Sequence, residues 1–136
     1  MKTVITYGTF DLIHYGHLNL LKRASKLGDR LIVGVSTDEM CREKNKFPVF
    51  PLEKRMEYIK DLRYVDLVIP EHNMAQKVDD IKKYGADIFL LGDDYAQSFK
   101  LMPEYEKIKD ICEVVFLERT KDISTTVLKA KILEQE

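Results

Sequence analysis

The chain has 136 residues, a formal net charge of −1, 45% hydrophobic and 33% charged residues, and a sequence pI near 6.3. That length makes one domain, residues 1–136, with enough bulk to bury about two thirds of the surface that its unfolded form exposes. Balanced charge argues against a general nucleic-acid binder, which needs unbalanced Lys and Arg to neutralise phosphates. No apolar run approaches the roughly 20 residues that span a bilayer. Met1-Lys2-Thr3-Val4-Ile5 lacks the apolar core of a signal peptide, so a cytoplasmic location is expected. Cys41 and Cys112 lie far apart in sequence and read as two unpaired thiols.

Taken in chain order, short apolar runs alternate with amphipathic stretches. Val4-Ile5-Thr6-Tyr7 reads as a strand. Leu18, Leu20, Leu21, Ala24 and Leu27 follow at helical spacing, and Gly28 stands where a C-terminal cap belongs. Leu31-Ile32-Val33-Gly34-Val35 reads as a buried strand. Residues 38–50 are polar and then aromatic, and are expected to form a loop or short broken helix. Leu52, Met56, Ile59 and Leu62 predict a second helix, and Asp66-Leu67-Val68-Ile69 a third strand stopped by Pro70. A helix through Val78 and Ile81 should end at Gly85. Ile88-Phe89-Leu90-Leu91 and Val114-Val115-Phe116-Leu117 predict the last strands, and a final helix should start near Ser124. Apolar strands alternating with helices imply an α/β fold, a three-layer doubly wound Rossmann-like domain with a five-stranded parallel sheet. Ligands of such sheets bind at the carboxyl ends of the strands, where Gly8-Thr9-Phe10-Asp11, Ser36-Thr37-Asp38, Pro70-Glu71, Gly92-Asp93-Asp94 and Glu118-Arg119-Thr120 gather.

The strongest local signal runs from Gly8 to His17. His14 and His17 are three residues apart and can share one face of a helical turn, with Gly16 between them. A helix start offers free N–H groups and a positive dipole end, both suited to phosphate, and two imidazoles donating there would stabilise developing charge. A buried histidine satisfied by backbone and a two-histidine zinc site are the alternatives, although zinc would need a third ligand and no cysteine lies nearby in sequence. The second signal, Arg119 to Thr126, follows the last strand. Ser124 suits a helix N-cap, and three hydroxyls beside Arg119 exceed what capping needs, so a second phosphate-binding terminus is expected. Lys44 and Lys46 lie in a segment that could close over a triphosphate. Arg55 and Arg63 are two turns apart on one predicted helix. Asp94 reads either as a turn aspartate or as a ligand for ribose, metal or acceptor.

His14-Tyr15-Gly16-His17 and Ile123-Ser124-Thr125-Thr126 resemble the nucleotidyltransferase superfamily that carries a His-x-Gly-His motif. Arg119-Thr120 and Arg63-Tyr64-Val65-Asp66 favour its cytidylyltransferase branch, and over nearly its whole length the chain is similar to the bacterial glycerol-3-phosphate cytidylyltransferases. The resemblance implies that CTP and sn-glycerol 3-phosphate give CDP-glycerol and pyrophosphate with Mg²⁺, by in-line attack on the α-phosphorus, and that the protein is a homodimer. It also implies roles. His14 and His17 bind the triphosphate and stabilise the transition state; Thr9 and the Gly8 backbone hold phosphate oxygens, and Phe10 belongs to the nucleotide site; Lys44 and Lys46 reach the β- and γ-phosphates. Arg119, Thr120, Ile123, Ser124, Thr125 and Thr126 frame the nucleotide. Asp11 and Asp94 serve the nucleotide and the metal, and Arg55, Arg63 and Lys77 the acceptor. Three departures stand out: Lys121-Asp122 where the family has Glu-Gly, Met74 where an aromatic is expected, and a longer segment from Tyr95 to Lys107. Another small phosphorylated acceptor, such as phosphoethanolamine or a polyol phosphate, and a nucleotide-binding module without turnover are the alternatives.

Overall fold

A computed structural model describes residues 1–92 and 96–118. Its strands are β1 (Thr3–Gly8), β2 (Arg30–Ser36), β3 (Leu67–Glu71), β4 (Ile88–Gly92) and β5 (Glu113–Leu117). They form one parallel sheet in the order β3-β2-β1-β4-β5. The chain fills one half of the sheet from β1 to β3 and then returns to lay β4 on the other side of β1. The strand order therefore reverses between β1 and β4, the point at which open α/β sheets place their ligand crevice, at the carboxyl ends.

The helices are α1 (Tyr15–Ser25), α2 (Asp38–Glu43), α3 (Leu52–Lys60), α4 (Gln76–Tyr84), α5 (Ala96–Lys100) and α6 (Pro103–Lys109). Alternation along the strands splits the interior into two layers. Val4, Leu31, Val33 and Leu90 face a cluster completed by Leu21 and Ala24 of α1 and Ile59 of α3. Ile5, Tyr7, Ile32 and Phe89 face the opposite cluster with Ile81, Phe99 and Ile108 of α4, α5 and α6. Parallel strands buried on both faces need this continuous apolar sequence.

The opposite, amino-terminal edge of the sheet is closed by aspartates placed just before three strands. Asp29, Asp66 and Asp87 each accept an amide N–H of a neighbouring segment, from Lys2, Leu31 and Thr3, at 2.8 Å. Three expectations need correction here. Pro70 does not stop the third strand but lies inside β3, opposite Val35; an edge strand tolerates a residue without an N–H. Gly28 is not a left-handed helix cap, because α1 is already closed by Lys26 in right-handed geometry. Gly28 instead lies against the Lys2 carbonyl, where a Cβ would stand 2.7 Å from the oxygen. The stretch after β4, given no helix by the sequence pattern, carries α5 and α6. Gly85 does end α4, at φ 63° in the left-handed region. The final helix expected near Ser124 lies outside the described residues.

Candidate active site

At the carboxyl end of β1 the backbone turns sharply, and Phe10 takes φ 50°, a conformation that few non-glycine residues adopt. The turn folds the Phe10 ring back over Gly8, where an added Cβ would meet it at 2.8 Å. Phe10 also presents its ring to the His17 imidazole, edge to face at 5.5 Å between centroids. His14 is the N-cap of α1: its backbone is extended and its Nδ1 accepts the Gly16 N–H at 3.0 Å. An imidazole accepting at Nδ1 carries its neutral-form proton on Nε2, so His14 offers a donor from that side. The His14 and His17 rings stack at 3.9 Å with 24° between planes. Two imidazoles thus sit side by side at a helix start whose first turn holds no acidic residue, an arrangement able to take up an anion.

Asp11 is buried, and its two carboxylate oxygens accept the amides of Val49 (2.8 Å) and Phe50 (3.0 Å). The Tyr58 hydroxyl shares its proton between the main-chain carbonyls of Phe10 and Asp11. Burial, with the Asp11 charge adding to it, pushes the Tyr58 phenol up to about 12, so it stays a donor throughout the physiological range. The segment between α2 and α3 is therefore tied to the turn after β1. Lys44 closes α2, and Lys46 follows in the same segment. Lys44 is exposed as a residue, and nearby protein atoms only partly desolvate its ammonium. That desolvation lowers its pKa from the ordinary lysine value, with Lys77 and Lys46 acting in the same direction and Glu71 opposing. Lys44, Lys46, Lys77 and Glu71 thus share one electrostatic neighbourhood.

Glu71 ends β3 almost fully buried. It accepts from Ser36 Oγ at 3.2 Å and pairs with Lys77 of α4. Lys77 Nζ also lies 4.8 Å from the centre of the Tyr7 ring and 3.2 Å from Met74 Sδ. Beneath it, Tyr7 donates its hydroxyl to Asp80 at 2.8 Å; burial and that carboxylate raise the phenol far above its usual value.

These positions revise several expected roles. Asp11 is a poor direct metal or nucleotide ligand, since both its oxygens already hold backbone amides. Arg55 is fully buried, and its donors go to Thr9, Ser36, Phe50 and Asp38 rather than to open space. Arg63 lies past the end of α3, toward the amino end of the sheet, and donates to the Tyr64 hydroxyl at 3.0 Å. It is not brought to the strands' carboxyl ends. Lys77 does reach the site region, but as the buried partner of Glu71. Gly8, Thr9, Phe10, His14 and His17 are gathered at one turn. Asp94, Arg119, Thr120, Ile123, Ser124, Thr125 and Thr126 lie outside the described residues.

The sequence pattern puts Asp38 and Glu71 at strand ends without a particular role, and it passes over Tyr58. A carboxylate directly after an apolar strand was the available signal for Glu71; nothing in the sequence marks Tyr58 as holding a turn. Among the described residues no group of three or more His, Cys, Asp or Glu side chains could hold a metal. No helix among them is long and apolar enough to cross a membrane.

The family model described as cytidylyltransferase-like matches residues 5–131. A glycerol-3-phosphate cytidylyltransferase of Staphylococcus aureus is 48% identical over 132 residues, covering 97% of this chain and 96% of that one. Its namesake from Bacillus subtilis is 49% identical over 132 residues, covering 97% and 98%. Among solved structures, a lipopolysaccharide core biosynthesis protein of Thermoplasma volcanium superposes with TM-score 0.74 at 32% identity, covering 89% of this chain and 99% of its own.

Proposed function

The chain belongs to the cytidylyltransferase-like family, and on that premise we propose that it transfers the cytidylyl group of CTP to glycerol 3-phosphate, forming CDP-glycerol and pyrophosphate. The observation that carries this reading is the likeness, along nearly the full length of both chains, to bacterial enzymes of that activity.

The geometry supports the chemistry. A phosphate monoester has a second pKa of about 6, so the acceptor is largely dianionic near neutral pH and needs no strong base. Attack on the α-phosphorus then depends on alignment and on balancing the charge of the departing pyrophosphate. The start of α1, with the His14–His17 stack beside it, suits the triphosphate. Lys44 and Lys46 supply cations from the tethered segment. The cation-rich neighbourhood of Lys44 and Lys77 suits the acceptor phosphate, although Lys77 must then exchange part of its hold on Glu71. Mg²⁺ does not fit Asp11, whose carboxylate is committed to backbone amides. An ion carried on the phosphates of CTP needs no protein cage of its own. The same resemblance supports a homodimer, which sedimentation of the purified protein tests, and a product destined for teichoic-acid or capsule synthesis.

The direct test is pyrophosphate release from CTP, Mg²⁺ and glycerol 3-phosphate, run beside phosphoethanolamine and polyol phosphates. Highest kcat/KM with glycerol 3-phosphate is expected. Preference for another member of the panel would move the acceptor assignment, and silence with every one would overturn the reading.

A further inference from the structure

Arg55 heads the fully buried large side chains among the described residues. It projects from α3, where the other buried residue, Ile59, is apolar. A buried guanidinium is expensive unless every donor finds a partner, and an apolar side chain of similar volume is often neutral or better for stability. Its partners show what it does. Nη1 donates to the carbonyls of Thr9 (2.9 Å) and Ser36 (2.7 Å), Nε to the carbonyl of Phe50 (2.9 Å), and Nη2 to Asp38 Oδ1 (2.6 Å). Three of these acceptors are main-chain carbonyls, and they belong to the turn after β1, the end of β2 and the exit of the Lys44–Lys46 segment. Asp38, the one anion, is 34% exposed. From the far side, Asp11 grips the amides of Val49 and Phe50 on that same exit.

We propose that Arg55 is a positioning residue for cytidylyl transfer: its planar fork fixes the Thr9 turn, the Ser36 strand end and the Phe50 end of the basic segment in one register. Lys44 and Lys46 are thereby held at a set distance from the His14–His17 pair without Arg55 touching substrate. The proposal rests on the cytidylyltransferase reading above. Lysine is no substitute, because a single ammonium cannot serve spread acceptors lying in the plane of a guanidinium.

The experiment compares wild type, Arg55→Lys and Asp38→Asn in steady-state kinetics and in amide hydrogen exchange, with near-UV circular dichroism to confirm folding. Arg55→Lys is expected to lose about 100-fold in kcat, the scale of a misplacement near 1 Å, with KM for glycerol 3-phosphate unchanged within about threefold. Exchange at Val49 and Phe50 should quicken about tenfold while β1 and β4 keep their protection. A raised KM with kcat preserved would make Arg55 a direct acceptor ligand and overturn the proposal. Unchanged kcat and exchange would reduce it to packing. Asp38→Asn keeps the three carbonyl bonds and should lose no more than about fivefold. A loss as deep as that of Arg55→Lys would place the effect in the ion pair and defeat the proposal, and this arm stands even if Arg55→Lys does not fold. Absence of turnover in wild type would sink the cytidylyltransferase reading alone, since the exchange arm needs no turnover.

Discussion

His17 meets Phe10 on one side and His14 on the other, so its ring is oriented before any ligand arrives. A donor held in place for developing charge is worth about 3 kcal/mol. His17→Ala should therefore lower kcat at least about 100-fold with the circular dichroism spectrum unchanged; an unaltered rate would remove the imidazole from the chemistry. Lys44 gives a second prediction at this scale. Partial desolvation, with Lys77 and Lys46 adding to it, holds its pKa below that of an ordinary lysine, so it loses its proton earlier as pH rises. Between its folded and unfolded pKa values the native state binds fewer protons, and this group makes stability rise with pH across that window. Substrate affinity moves the other way, since a neutral amine no longer attracts phosphate. KM for CTP should climb on the alkaline side at a pH below the usual lysine range. Lys44→Arg should abolish that climb, because guanidinium stays charged there. A pH series of KM for both proteins decides the matter.

At the scale of elements, the Glu71–Lys77 pair ties the end of β3 to α4 across the second core layer. Removing one partner of such a pair strands a charge, at a cost of about 3–5 kcal/mol. Lys77→Met should lower unfolding free energy by about that amount in urea, and Glu71→Gln on top of it should recover a large part. Simple additivity of the two losses would contradict the pairing. This element pair also shows what the sequence could and could not display. Strand and helix alternation is a local property of hydrophobic spacing, so β1, β2, β4, the three longer helices and the Gly85 cap were all legible. The placement of Arg55 was not. A basic residue on a helix reads as solvated until two distant carbonyls, of Thr9 and Ser36, are known to converge on it with the nearby one of Phe50, and that convergence exists only after β1, β2 and α3 have packed. The same reason hid Asp11: a carboxylate in a phosphate-binding turn resembles a ligand until its two backbone partners, 38 and 39 residues away, are seen. Pro70 misled in another way, because a proline stops a central strand and β3 is an edge.

At the scale of the whole molecule, the sheet brings the turn after β1, the end of β2 and the end of β3 to one side, while aspartates close the other side against backbone. The two ends are thus built differently: at the amino edge carboxylates are tied to backbone amides, whereas at the carboxyl edge Asp11, Asp38 and Glu71 are held by backbone amides, Arg55 and Lys77, beside the His14–His17 pair and Lys44 and Lys46. A triphosphate should distinguish them and bind where a helix start and cations converge. Because only the folded chain assembles that convergence, ligand binding must raise stability by RT ln(1 + [L]/Kd), about 2.7 kcal/mol at 100-fold excess over Kd. For a domain of this size that corresponds to a rise in Tm of about 10 °C. CTP with Mg²⁺ should produce it and ATP at equal concentration should give less, if the pocket reads the base as well as the phosphates. His17→Ala should bind CTP with a smaller gain in Tm, while Arg63→Ala, altered at the opposite end of the sheet, should keep the full gain. Equal shifts from CTP and ATP would mean that the base is not read. A loss of the shift in Arg63→Ala would mean that nucleotide binding reaches beyond the carboxyl ends of the strands.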